Sequence, residues 1–144
     1  MRSCLVAATA ALLVVTVAGC GRARHSPSGF RLPPGEPAAG QTAFIDLKCH
    51  TCHRVEGVEL PPAEAPNVVT LGGKRALPPT DGDLTTDIIL PSSHFASGYP
   101  ASQVQEGARS RMPDYTRQMT IRQLADLVAF LQARYTSPLG GRGV

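Results

Sequence analysis

The chain has 144 residues, which is enough for one compact domain and too few for two ordinary ones. Its 14 Lys and Arg against 11 Asp and Glu leave a net charge of +3, which excludes the strongly basic footprint of a nucleic-acid-binding protein. Aromatic residues make up only 5% of the chain and Trp is absent, while 14 Gly and 13 Pro indicate many irregular connections. So few large rings give a thin core unless another group fills it.

The first 19 residues have the pattern of an export signal. Arg2 gives a positive start, and the apolar run of 14 residues that follows, Leu5–Ala18, is shorter than the roughly 20 residues of a membrane span. The sequence VAGC at its end resembles the lipobox of bacterial lipoproteins, in which Cys20 becomes the lipidated first residue. An ordinary signal peptide and an uncleaved anchor are the alternatives. We expect residues 1–19 to be a signal peptide and Cys20 to anchor the protein on the periplasmic side of a membrane.

A flexible membrane tether is expected over residues 20–35, because this stretch is rich in Gly, Pro, Ser and Arg and lacks periodicity. His25 within it is interpreted as a solvated linker histidine. Residues 36–136 are expected to form the domain, and residues 137–144 a flexible tail.

Three helices are predicted within the domain. Apolar residues at helical spacing predict the first over about Pro37–Arg54, and a second over Asp83–Leu90 ends before Pro91. The third follows Thr120, which forms a capping box with Gln123. The stretches between them, 55–80 and 91–112, are expected to be loops. No stretch shows convincing two-residue alternation, so we expect an all-α fold with long loops.

The densest chemistry lies in KCHTCHR, Lys48–Arg54. Zinc is disfavoured because all four candidate ligands lie within about one helical turn and no second cluster follows. A redox disulfide is disfavoured because a thioredoxin-like CxxC follows a strand, whereas the residues before Cys49 look helical. The third interpretation is the C-x-x-C-H pattern of c-type haem attachment, in which Cys49 and Cys52 form thioethers and His53 binds the iron.

Three residues are candidates for the sixth iron ligand, and an open sixth position is the alternative. Met112 precedes Pro113, which restricts its backbone to an extended form and can hold the thioether on a rigid turn. His94 is more typical of a surface histidine, and Met119 of a packing residue at the start of the last helix. Met112 is therefore the preferred ligand, with an open position as the alternative.

The motifs together resemble the class I monohaem cytochromes c over about residues 36–136. The matching stretches are GQTAFIDLKCHTCH from Gly40, APNV from Ala65, RMPDY from Arg111 and DLVAFL from Asp126. The resemblance implies a small cytochrome c fold around one covalent haem c, with its N- and C-terminal helices crossed.

Specific contacts also follow from the resemblance. Gly40 and Phe44 would meet Leu127 and Phe130 where the helices cross. The carbonyl of Pro66 would accept a hydrogen bond from the imidazole of His53 and orient it. The 91–112 stretch is longer than the family's usual loop, so the wall above the haem edge is expected to differ.

The implied function is electron transfer without bond chemistry. With both axial positions filled, the protein would be a membrane-tethered electron carrier and not an enzyme, with redox proteins or a membrane respiratory complex as partners. Two alternatives remain: a haem c subunit of a larger oxidoreductase, and a CxxC thiol redox protein.

Overall fold

Two helices that cross near the two ends of the described chain organise the fold. The structure, a computed structural model, describes residues 31–138. Its helices are α1 Pro37–Asp46, α2 Asp81–Ile89, α3 Ala101–Val104 and α4 Ile121–Gln132. The expected signal peptide 1–19, the expected lipidation site Cys20, residues 20–30 of the expected tether with His25, and residues 139–144 of the tail lie outside the described residues.

The crossing of α1 and α4 depends on a residue without a side chain. A Cβ on Gly40 would overlap the backbone carbonyl of Asp126 and lie 2.6 Å from Cβ of Phe130. Phe44 and Phe130 then pack edge to face, with ring centroids 5.7 Å apart, and both rings are almost fully buried. The contact that the resemblance implied between the first and last helices is confirmed.

The start of α1 is capped from the other helix. Glu36, its N-cap residue, makes no side-chain cap of its own, and its backbone N–H donates to Oδ1 of the buried Asp126 at 2.8 Å. Just before it, Pro34 accepts a hydrogen bond from Arg122 at 2.9 Å, and Leu32 packs against the core. The last residues of the expected tether therefore lie against α4.

The first helix is shorter than the sequence pattern predicts. It ends at Asp46 and not at Arg54, because Lys48 adopts a left-handed backbone with φ of 58° that stops the helical ladder. Cys49–Thr51 then form a single turn of 3₁₀ helix. The prediction that both cysteines lie on a continuous α-helix is wrong.

Capping boxes define the starts of the other two long helices. Thr120 accepts from the backbone N–H of Gln123 at 3.1 Å, as predicted for α4. Thr80 makes the same arrangement with Asp83, so α2 begins at Asp81, two residues before the predicted start. Most of α4 is buried and supplies one side of the core.

Six short strands correct the all-α prediction. They are β1 His53–Val55, β2 Val69–Leu71, β3 Gly73–Lys74, β4 Gln105–Glu106, β5 Arg109–Ser110 and β6 Tyr135–Thr136. The pairs β1–β2 and β3–β6 are parallel, and β4–β5 is an antiparallel hairpin. The domain is mainly helical with three small two-stranded sheets, because strands of two or three residues are too short to show alternation in sequence.

None of the helices within residues 31–138 has the length and apolar character needed to cross a membrane.

Candidate functional site

The CHTCH turn borders a partly open cavity of about 490 Å³. The other parts of its wall are the end of α1, the loop before β2, the middle of α2 and α4, and the segment leading into Met112. Its lining is mostly apolar, with Phe44, Leu84, Ile88, Leu127 and Leu131 among the side chains that form its walls. The size and apolar lining are typical of a site for a cofactor.

The CHTCH turn forms one wall of this cavity and is held by backbone hydrogen bonds. The carbonyl of Thr51 accepts from the N–H groups of Glu64 and Ala65 at 3.0 and 2.9 Å, and that of Cys52 accepts from Val69 at 3.0 Å. Cys49 and Cys52 are half-buried and not joined by a disulfide. Both thiols therefore face the cavity from a turn whose backbone is fixed by the following loop.

Burial disfavours the thiolate of Cys49, which is the form that reacts in redox exchange. It raises the pKa of Cys49 to about 11, so the group is protonated at neutral pH. Burial, together with the two nearby cysteines, also raises the pKa of Tyr115 on the same wall. Catalytic redox cysteines have depressed pKa values, so this environment disfavours a thiol redox site.

The imidazole of His53 lies at the base of the cavity with an unsatisfied nitrogen. His53 begins β1 and pairs in register with Val69 of β2. Its Nδ1 is buried and has no hydrogen-bond partner within the described chain, and burial lowers the pKa of the ring. A neutral imidazole in an apolar site is the form that binds a metal.

The hydrogen bond expected between His53 and the carbonyl of Pro66 is not formed. Pro66 does line the cavity. Within residues 31–138 Nδ1 of His53 has no hydrogen-bond partner, so it does not donate to Pro66 there. The orienting role of Pro66 stays a prediction.

Met112 lies in the lining of the same cavity as the CHTCH turn. It lies two residues after the β4–β5 hairpin and is half-buried. Its backbone N–H donates to Oγ of Ser110 at 3.1 Å, and the preceding Arg111 N–H donates to the carbonyl of Val104 at 3.0 Å. The structure thus brings Met112 and His53, 59 positions apart in sequence, to one cavity.

The two other ligand candidates also line the cavity but have different surroundings. The side chain of His94 is 72% exposed, and its Nδ1 lies 3.3 Å from a carboxylate oxygen of Asp87. Met119 packs against the core cluster beside α4. An exposed, already paired imidazole is a poorer candidate than Met112. Met119 is half-buried like Met112 but packs against the core cluster, which favours a packing role.

Several lining residues were not identified from the sequence. Tyr115 lies in the quoted RMPDY stretch, three positions after Met112, so its place in that motif was the available clue. Gln103 and Tyr135 also line the cavity. They are far from the motifs, and no local pattern marks them.

These residues fit a covalently attached haem. Two unpaired thiols, a neutral imidazole with a buried unsatisfied nitrogen, and a methionine thioether all border one apolar cavity. This donor set matches the attachment and axial ligation of haem c. Within residues 31–138 no group of three or more His, Cys, Asp or Glu side chains is arranged to hold a metal ion by itself.

Comparison with known proteins gave one match. A family model described as Cytochrome c matches residues 37–134, from the first residue of α1 to two residues beyond α4. Searches of curated proteins and of solved structures gave no significant match.

Proposed function

The chain belongs to the cytochrome c family, whose domains each bind one haem c covalently, and we propose that it carries single electrons between redox proteins outside the cytoplasm. The haem supplies one-electron redox chemistry, which is the activity that the family indicates. The observation that carries the finer proposal is the shared cavity of the CHTCH turn and Met112.

Each proposed haem contact has a residue with suitable surroundings. Cys49 and Cys52 are the attachment thiols, because they are unpaired and both border the cavity. His53 is the proximal ligand, because burial keeps its ring neutral. Met112 is the sixth ligand, and its soft sulfur favours the reduced iron and a high reduction potential.

Filling both axial positions determines the type of reaction. With His53 and Met112 bound, no position remains for a substrate, so the residues around the cavity serve to exclude water and hold the two ligands. The apolar walls formed by α4 and α2 do this. The protein is on this basis an electron carrier and not an enzyme.

Membrane attachment is the second part of the proposal. The VAGC sequence supports lipidation of Cys20. The Gly, Pro and Ser residues that follow it, up to residue 35, support a flexible tether to the haem domain. A tether confines the haem to the reach of a membrane complex and raises its effective concentration there. Labelling of cells with radioactive palmitate should mark the wild-type protein and not a Cys20→Ser variant; an unlabelled wild type would contradict this part.

Haem staining after denaturing electrophoresis tests the cofactor and its attachment. The exported protein should retain peroxidase-active haem on the gel, and a Cys49→Ser, Cys52→Ser variant should lose it. A chain that carries no haem after export would instead favour the thiol redox alternative.

A matched pair of methionine variants tests the sixth ligand. Met112→Leu keeps the side-chain volume but removes the sulfur, so the low-spin spectrum and its methionine–iron charge-transfer band should be lost. Met119→Leu makes the same chemical change beside the core cluster and should retain both the low-spin spectrum and the charge-transfer band. An unchanged spectrum in Met112→Leu would assign the ligand to Met119 or His94.

A further inference from the structure

The segment between α2 and Met112 is joined to the opposite side of the cavity by two side chains. The hydroxyl of Tyr99 accepts a hydrogen bond from the backbone N–H of Thr70 at 2.8 Å. The side-chain amide of Gln103 donates to the carbonyl of Val68 at 3.4 Å. These contacts join parts of the chain 29 and 35 positions apart, so they are tertiary contacts and not local turns.

The points of attachment lie beside the proximal ligand. Val68 and Thr70 flank Val69, the residue that pairs with His53 across β1 and β2. The N–H of Val69 also donates to the carbonyl of Cys52 at 3.0 Å. Tyr99 is therefore attached to β2, the strand that fixes the CHTCH turn, and Gln103 to the residue just before it.

The other end of the connection leads directly to Met112. Gln103 lies in α3, and the adjacent Val104 accepts from the N–H of Arg111 at 3.0 Å. The guanidinium Nε of Arg111 donates to the carbonyl of Ser102 at 2.9 Å. Both bonds fix the residue before Met112 to α3, so a displacement of α3 displaces Met112.

We propose that Tyr99 and Gln103 are positioning residues for Met112. Their hydrogen bonds join α3 and the residues just before it to β2 and Val68, and so hold Met112 at its distance from His53. The proposal rests on the proposed function, because it takes Met112 as an iron ligand. These two hydrogen bonds, called the tie below, belong to the lengthened 91–112 segment, and Gln103 is also part of the cavity lining. Its role is to keep the methionine from leaving the iron, and so to keep small competing ligands out.

The expected effect follows from the population of the open form. Release of Met112 by movement of its segment breaks the two hydrogen bonds, so removing one of them favours the open form. An ordinary hydrogen bond gives a roughly twofold to tenfold change in such an equilibrium. Imidazole, which binds ferric haem only when the methionine has left, should then bind faster by the same factor.

The experiment uses the haem-loaded ferric protein and stopped-flow mixing with imidazole. Tyr99→Phe and Gln103→Leu should each raise the observed binding rate roughly twofold to tenfold, and the double variant by about the product of the two. Gln118→Leu alters an exposed glutamine beyond Met112 and should bind at the wild-type rate.

A stability control separates positioning from general destabilisation. Thr120→Ala weakens the cap of α4 without touching the tie, and urea unfolding gives the stability of each variant. The proposal is overturned if Thr120→Ala accelerates imidazole binding as much as Tyr99→Phe at equal loss of stability, or if the Tyr99 and Gln103 variants bind at the wild-type rate.

The spectrum of Met112→Leu separates this proposal from the proposed function. If Met112→Leu leaves the methionine band intact, the ligand assignment fails and the positioning role of Tyr99 fails with it. If that band depends on Met112 while imidazole rates are unchanged in the tie variants, only the positioning role fails.

Discussion

Replacement of Gly40 by Ala tests how closely the two terminal helices approach each other. The new Cβ would overlap the Asp126 carbonyl and lie 2.6 Å from Cβ of Phe130, where ordinary contact begins at 3.4 Å. The backbone of α4 cannot rotate away as a flexible side chain can, so the helices must separate by close to 1 Å. A gap of that size forfeits about a quarter to a half of the dispersion energy of the atoms it separates.

The net cost combines three contributions. Overpacking costs about 1–3 kcal/mol, and disturbing the edge-to-face pair of Phe44 and Phe130 costs about 0.5–1.5 kcal/mol. The higher helix propensity of Ala offsets about 1 kcal/mol. Gly40→Ala should therefore lower the free energy of unfolding by about 2 kcal/mol and the urea midpoint by about 1 M.

The assay is urea unfolding of the haem-loaded protein, followed both by haem absorbance and by helical circular dichroism. Gly82→Ala is the matched control, because a Cβ there meets nothing closer than 3.7 Å within α2. It should be neutral or stabilising by up to about 1 kcal/mol. If Gly40→Ala were as stable as Gly82→Ala, the helix contact derived from this geometry would be wrong.

Three further substitutions give distinct outcomes. Asp126→Ala removes the acceptor of the Glu36 N–H and should cost about 1–3 kcal/mol in urea unfolding, whereas Asp126→Asn, which keeps an oxygen there, should cost less. Thr120→Ala removes the cap and should lower the free energy of unfolding by about 1 kcal/mol, whereas Thr120→Ser should restore most of that loss. Equal free energies of unfolding for the two variants would exclude the capping role. Hydrogen bonds from Thr116 lower the pKa of the Asp114 carboxyl. The stabilisation that the ionised Asp114 provides is therefore complete above the ordinary pKa of 3.8, and it is lost as the pH falls through the lower folded-state pKa. The difference in unfolding free energy between wild type and Asp114→Ala should accordingly be constant near neutral pH and shrink below about pH 3.8, and a pH-independent difference would contradict this.

The features predicted correctly from the sequence depend on local chemistry. The start of α4 is set by Thr120 and Gln123, which are three positions apart and form their contacts without the rest of the fold. The same pattern is present at Thr80 and Asp83, and would have given the correct start of α2. The crossing of α1 and α4 followed from the resemblance, which identified Gly40 as a contact residue.

The features missed depend on tertiary contacts. The end of α1 is set by a left-handed Lys48, and a lysine carries no sequence preference for that conformation. The strand pair β1–β2 is parallel and joins His53 to Val69, so neither strand is stable alone and no alternation marks it.

The sequence indicated those residues of the candidate site that belong to recognisable motifs. The CHTCH residues and Met112 were identified individually, and the structure places them around one cavity. The hydrogen bonds of Tyr99 and Gln103 were not predicted, because a hydrogen bond between residues 29 or 35 positions apart leaves no pattern in either local sequence.

The cap of α1 by Asp126 has a consequence for biosynthesis. A polypeptide made from its amino end exposes Glu36 long before Asp126 exists, so the first helix has no acceptor for its leading N–H until the last helix is complete. Short uncapped helices are only marginally formed in water. The CHTCH sequence lies between these two ends, so the contact of the first and last helices cannot form around it before the last helix is made.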